Sequence, residues 1–546
     1  MPLGKPISAV KKIRPIDVGK VFGTAFLLCL ATAIATPAQT CKVLYNFGVN
    51  PDRPNDPIFQ GVIAQGRDGN LYSGSRDAWT GSDGTVFSMT PAGALTVVHL
   101  FSGADGQDPS GGLALGTDGM FYGATYSGGL YSYGTVFKMT PGGELTTIHN
   151  FTGGDDGGDP KAPPIEGNDG NFYGTTSYGG KTGNIGTVYR ITPSGVFTTL
   201  NSFGLTSSSA GDYPNGPLVQ GTVGLLYGTT FYGGPDDVGT IFSVSPFTGQ
   251  IANMFSFDGT DGGNPVAALI QATDGNFYGT TLADANGGTA FRISAEGEFT
   301  VVHTFTGGSD GANPVGGLTQ ATDGNFYGTN TYGVVYRMGP KGVVTPLCNV
   351  GGSPQSMLVQ HTNGILYGTT AVGGSGDRGM FFSLNVGLAP FVRLLPDARQ
   401  VGQTVEFLGQ GFTGTTGISF NGTPGTFTVA SDTYLTATVP AGATSGFVTV
   451  TTPSGTLKSS EKFRVTPQIV SFSPSSGPVG SKVVITGTSF TGATGVELAC
   501  KFPMSFTVDS DTQITAIVPA DGVTGELMVF TPGGHVESTA NFTVTQ

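Results

Sequence analysis

Three histidines in equivalent phrases are the first candidates for chemistry. VVHLF (Val97–Phe101), TTIHNF (Thr146–Phe151) and VVHTF (Val301–Phe305) carry His99, His149 and His303. Three imidazoles can hold zinc when a fold brings them to one ion. Here each has the same place in a recurring apolar segment, so a repeat architecture spaces them apart and leaves each a strand residue. His361 and His535 stand isolated. A second set is richer. The aromatics Trp79, Tyr126, Tyr178, Tyr232 and Tyr332 each follow an equivalent segment, and acids recur in GxDGxxP-like stretches as Asp105, Asp108, Asp155, Asp156, Asp159, Asp212, Asp258, Asp261 and Asp310. Flat aromatic faces stack on sugar rings, and carboxylates accept hydrogen bonds from hydroxyls or hold Ca²⁺ through oxygen. Asp is also a standard turn residue that braces its own loop. The chain has no HExxH pair or EF-hand loop, and the GxSxG string GGSDG (Gly307–Gly311) sits in a Gly-rich turn stretch with no helical segment after it, so no nucleophile or catalytic metal is marked.

The elements that must position these groups are strands. Glycine numbers 91 without a period of three, charged residues make up 11% and aromatics 10%, a balance that excludes disorder and favours short strands joined by Gly-rich turns. The first forty residues differ. Lys5, Lys11, Lys12, Arg14 and Lys20 precede the apolar run Val21–Ala35 and the small residues of ATPA. Residues 1–38 read as a secretory signal peptide. An uncleaved anchor is the alternative, though about fifteen apolar residues are short for a span. No other stretch is apolar enough to cross a membrane. The remaining chain carries 19 basic and 36 acidic residues, a formal charge of −17, which repels phosphate and excludes nucleic acid as an expected partner. Cys41, Cys348 and Cys500 form no CxxC pair; in an exported chain a Cys41–Cys348 disulfide stays open.

One phrase recurs through the front of the chain. DGNLYS (Asp68–Ser73), DGMFYG (Asp118–Gly123), DGNFYG (Asp169–Gly174), VGLLYG (Val223–Gly228), two identical copies of QATDGNFYGT (Gln271–Thr280, Gln320–Thr329) and NGILYG (Asn363–Gly368) make seven units. Each unit has four apolar pieces, shown in the second by GGLALG, MFYGATY, GTVFKMT and LTTIHNF between Gly111 and Phe151. Their β-branched and aromatic content and turn boundaries predict strands. The Asp-Gly pair predicts a type I′ hairpin, with positive φ at both central residues. Four antiparallel strands repeated seven times predict a seven-bladed β-propeller over 42–387. KVLYNF (Lys42–Phe47) matches the fourth-strand pattern, while the seventh unit leaves the pattern after GMFFSLNV (Gly379–Val386). The first segment therefore supplies the strand the last blade lacks and closes the ring.

Two further segments, 389–467 and 468–546, align with each other: VGQTVEFLGQGFTGTTGISF (Val401–Phe420) against VGSKVVITGTSFTGATGVEL (Val479–Leu498). Their alternating strands predict two immunoglobulin-like β-sandwiches, so the whole chain is expected to be all-β. They resemble IPT/TIG domains, the second through its opening SPSSGPVGSKVVITGTSF (Ser473–Phe490), the first through its GQGFTG core. The front part resembles the Gloeobacter/Verrucomicrobia tandem-repeat family by its GTVFxxTPxGxxTxxHxF and DGNFYGTT phrases. This resemblance implies an exported bacterial protein and an architecture, not a reaction.

In a four-stranded blade, the loops joining strands two and three open on the same face as the connections between blades. The aromatics and acids above occupy those two sets of loops. The expectation is a non-catalytic binding or adhesion protein that recognises extracellular or cell-surface glycans on this face. Ca²⁺ is the one ion the acidic loops suggest, and the sandwiches serve as spacer or second interaction module. The alternatives are a polysaccharide lyase or glycoside hydrolase, marked by carboxylate, Arg or Tyr groups converging from several blades, and a surface-layer or matrix protein that binds other proteins.

Overall fold

A computed structural model describes residues 39–545, apart from 49–56, 58–61, 77–82, 110, 182, 205–210, 283–286, 500 and 532. The signal-peptide segment and Trp79 lie outside the described residues. Every regular element among those described is a strand. Seven antiparallel sheets follow one another in chain order, the first six each built from strands consecutive in sequence. The second blade runs Leu113–Leu115, Phe121–Thr125, Thr135–Met139 and Leu145–Asn150. In the seventh, the outermost strand is Thr40–Asn46, paired antiparallel with Met380–Asn385. Both chain ends of the ring thus share one sheet, which removes its open seam. A disulfide, Cys41–Cys348, ties this clasp to the outer strand of blade six across 307 residues of sequence.

The recurring phrase is the mortar of the ring. In DGNFYG the Asp side chain accepts the N–H two residues on (Asp323 Oδ1 from Asn325, 3.1 Å) and the hydroxyl of the following tyrosine (Tyr327, 2.9 Å). Asp68, Asp118, Asp169 and Asp274 do the same for Tyr72, Tyr122, Tyr173 and Tyr278. These tyrosines are buried to within 3%, and burial with the adjacent carboxylate raises the Tyr278 hydroxyl pKa to about 12. The turn itself departs from the expected type I′. Gly324 N–H donates to Ala321 O and Ala321 N–H to Asn325 O, and the glycine has φ +79° while the aspartate is absent from the positive-φ residues. This is the pattern of a turn followed by a glycine bulge. The aspartate stays at negative φ, where its carboxylate caps the turn.

The residue ending each first strand reaches back to the preceding blade. Gln320 accepts from Thr273 N–H, Gln271 from Thr222 N–H, Gln220 from Asn168 N–H and Glu166 from Thr117 N–H. Gln65 completes the circle on Thr362 of blade seven, accepting its N–H at 3.1 Å and donating to its hydroxyl at 2.8 Å. Blade two has Leu115 here, and Arg67 of blade one donates to Thr117 O instead. On the other face, a proline of the connection packs against the glycine that opens the third strand in every blade but the sixth. A Cβ on Gly84 (φ +102°) would strike Pro109.

The two C-terminal sandwiches repeat one topology. Sheets of four and five strands hold Arg393–Leu395 through Gly455–Val465 in the first and Gln468–Ser473 through Gly534–Thr545 in the second, with identical strand order. Each has its own apolar core, around Phe407 and Phe420 in one and Ile485 and Val529 in the other. The first sandwich is seated on the ring rather than held apart from it. Arg67 pairs with Glu406 at 2.5 and 3.0 Å and lies over the Tyr434 ring, Thr433 donates to Arg67 O, and Phe391 N–H donates to Thr362 O. All these ring residues belong to the face of the DG turns.

Candidate functional site

The face opposite the sandwiches is formed by the strand two-to-three loops and the connections between blades, where the sequence places the aromatics and acids. The structure divides the acids into two kinds. Asp105, Asp156 and Asp310 brace their own loops. Asp105 accepts from Ser102 N–H at 2.8 Å and His99 Nε2 lies 2.8 Å away. His149 meets Asp156 at 3.1 Å and His303 meets Asp310 at 3.2 Å, with Thr152 and Thr306 in the serine's place. Local hydrogen bonds hold the Asp105 and Asp310 carboxyls below the usual range despite partial burial. Asp261 caps the Asp258 N–H in the same way. Each histidine thus belongs to its own blade's loop brace, and no group of three His, Cys, Asp or Glu able to hold a metal ion occurs among the described residues. The carboxylates of Asp105, Asp156 and Asp310 are engaged by their own loops.

Asp108 and Asp159 are the other kind. Each precedes the proline of its connection and takes the left-handed conformation, with φ 58° and 56°, which Asp tolerates better than most residues. Arg76, just after the second strand of blade one, meets Asp108 Oδ2 at 3.1 Å, while Asp108 Oδ1 is buried without a hydrogen-bond partner. Burial raises the pKa of both carboxyls, opposed by Arg76 for Asp108 and by Lys161 for Asp159. Tyr126 is within electrostatic reach of both acids and of Arg76; burial first, then the two carboxylates, pushes its hydroxyl pKa up. Five polar groups from three successive blades therefore converge: Arg76, Asp108, Tyr126, Asp159 and Lys161.

Around this cluster the rim is aromatic. Tyr178 stacks on Tyr133 with centroids 5.7 Å apart and planes within 1°. Tyr232 meets Tyr213 edge-on at 5.8 Å. Leu130, Tyr131, Tyr133, Tyr213 and Tyr232 are all exposed, a concentration of apolar side chains on loops that soluble surfaces seldom leave uncovered. Tyr332 of blade six is 64% exposed with no ring against it among the described residues. The sequence reading missed Tyr131, Tyr133 and Tyr213, although YSYG (Tyr131–Gly134) interrupts the repeat with two extra aromatics. It also missed Arg76 and Lys161, whose signal is being the rare cations beside these loops.

A family model described as the Gloeobacter/Verrucomicrobia repeat matches four overlapping stretches, residues 31–225, 115–341, 205–382 and 270–451. An IPT/TIG domain model matches 467–545. Comparison with curated proteins finds no match. Among solved structures the chain is similar to virginiamycin B lyase from Staphylococcus aureus (15% identity, TM-score 0.45, 64% of this chain and 98% of that one). It is also similar to a fungal alcohol oxidase of the AA5 family in complex with copper (12%, 0.43, 90% and 98%). A third is the surface glycan-binding protein PbSGBP-B from Prevotella bryantii (20%, 0.21, 29% and 39%). Likeness this distant carries no argument about what the chain binds.

Proposed function

The chain belongs to the Gloeobacter/Verrucomicrobia repeat family, and from that premise we propose that it is an exported binding protein whose open propeller face recognises extracellular glycans. The observation that carries this reading is the aromatic rim. Tyr131, Tyr133, Tyr178, Tyr213 and Tyr232 line successive loops on the face the sandwiches leave free, and tyrosine rings offer apolar area with a hydroxyl at the edge. The polar cluster behind them supplies donors and acceptors for sugar hydroxyls. The disulfide supports an oxidising compartment, and no helix among the described residues is long and apolar enough to cross a membrane. A glycan array probed with the full chain and with Tyr131→Ala/Tyr133→Ala tests the reading. Retention lost in the double variant is expected; no retention of plant, fungal or bacterial polysaccharides by the parent chain contradicts it.

The converging cluster also favours a second reading, a glycoside hydrolase on the same face. Asp108 and Asp159 have pKa values raised by burial, the direction a general acid needs at neutral pH. A lyase gains less support, because Tyr126 is pushed up rather than down and would ionise reluctantly as a base. New reducing ends released from a polysaccharide panel, and lost in Asp108→Asn, identify the hydrolase.

A further inference from the structure

A cavity of about 440 Å³ lies where the first sandwich caps the ring. Its walls come from both bodies: first-strand ends of blades two, three, four, six and seven, and the edge of the sandwich around Phe391–Arg399 and Ser460–Arg464. Six charged residues face it, Glu166, Asp397 and Glu461 against Arg393, Arg399 and Arg464. Some are spent on the protein. Arg464 pairs with Asp397 at 3.0 Å, Glu166 accepts from Thr117, and Arg393 donates to Gln360 O. Others are not. The Glu461 carboxylate and the Arg399 guanidinium have charged neighbours but no hydrogen-bond partner among the described residues, and Arg464 Nε is buried with its proton unmatched.

We propose that this chamber is a binding site for a small neutral polyhydroxy ligand of monosaccharide to disaccharide size. Three carboxylates balance three guanidiniums, so no net charge is left for an anionic or cationic ligand to neutralise. A hydroxyl both donates and accepts, which matches Glu461 on one side and Arg399 and Arg464 on the other. Ile165, Leu218, Phe391 and Leu394 supply apolar wall between them, the mixture that suits C–H faces of a sugar. The volume falls within the range of small-molecule sites, about 300–1,000 Å³. The site is separate from the aromatic face, across the ring from it, and holds a short sugar whether or not that face retains polymers.

Titration calorimetry of the full chain tests this with glucose, galactose, mannose, maltose and cellobiose, and with galacturonate and glucosamine as charged comparisons. A neutral sugar is expected to bind, and Glu461→Gln and Ser460→Phe to weaken it by about tenfold or more. The first keeps the shape of the wall; the second fills the chamber. No heat from any neutral sugar overturns the proposal. So does a preference for a charged one, or an affinity that survives both substitutions.

Discussion

The two faces of the ring are built from the same repeats and have opposite characters. On the turn face, the DGNFYG phrase returns with little change, its Asp and Tyr and the Gln that ends the strand before it locked into turn caps, buried hydroxyls and inter-blade bonds, and the first sandwich sits on it. On the loop face the repeats diverge, in length and in residue type, and tyrosines stand exposed around Arg76, Asp108 and Asp159. Repetition marks what every blade needs in order to pack. Recognition requires surfaces that differ from blade to blade, so it belongs where the repeats disagree.

The largest effect that can break this contrast concerns the clasp. Cys41→Ser frees a 307-residue loop and is expected to cost about 3–5 kcal/mol in urea unfolding, while glycan retention by the folded fraction stays unchanged. Loss of retention without loss of stability would place binding at the ring's seam. Next comes the turn face. Asp323→Ala removes the acceptor of the Tyr327 hydroxyl and of Asn325 N–H, for an expected cost of about 2–3 kcal/mol, again read by urea unfolding. On the loop face the signs reverse. Tyr131→Ala/Tyr133→Ala should weaken glycan retention by about tenfold and change stability by less than about 0.5 kcal/mol.

The smallest effect is pH-dependent and returns to the turn face. His361 is fully buried, with Nε2 2.9 Å from Gly69 O and Nδ1 accepting Asn363 N–H at 3.1 Å. That arrangement requires the neutral ring, and burial lowers its pKa from the ordinary 6.5. For a base with a depressed folded-state pKa, the stability is complete above the unfolded value and is lost as pH falls towards the folded one. Melting temperature should therefore drop between about pH 7 and pH 5, and His361→Gln should reduce that drop.

The ring was legible because four short β-branched or aromatic pieces, bounded by turns and repeated in units of forty to fifty residues, leave few alternatives to blades, and because Thr40–Asn46 completes the last sheet. The turn type was not, since Asp-Gly suits two hairpin geometries and the choice rests on the cap from Asp68 or Asp323. Among the candidate residues, Tyr126 lies within electrostatic reach of Asp108 and Asp159. Asp105, Asp156 and Asp310 do not join them, because a histidine six or seven residues earlier folds back onto each. The seating of the first sandwich depends on contacts such as Arg67–Glu406, separated by 339 residues, which no local pattern announces.

Hydrogen exchange of the full chain with and without a retained glycan tests the central claim most directly. Slowed exchange is expected in 126–133, 177–179, 212–214 and 231–233 on the loop face. Protection confined to the DG turns or to the sandwiches, with the loop face unchanged, would contradict it.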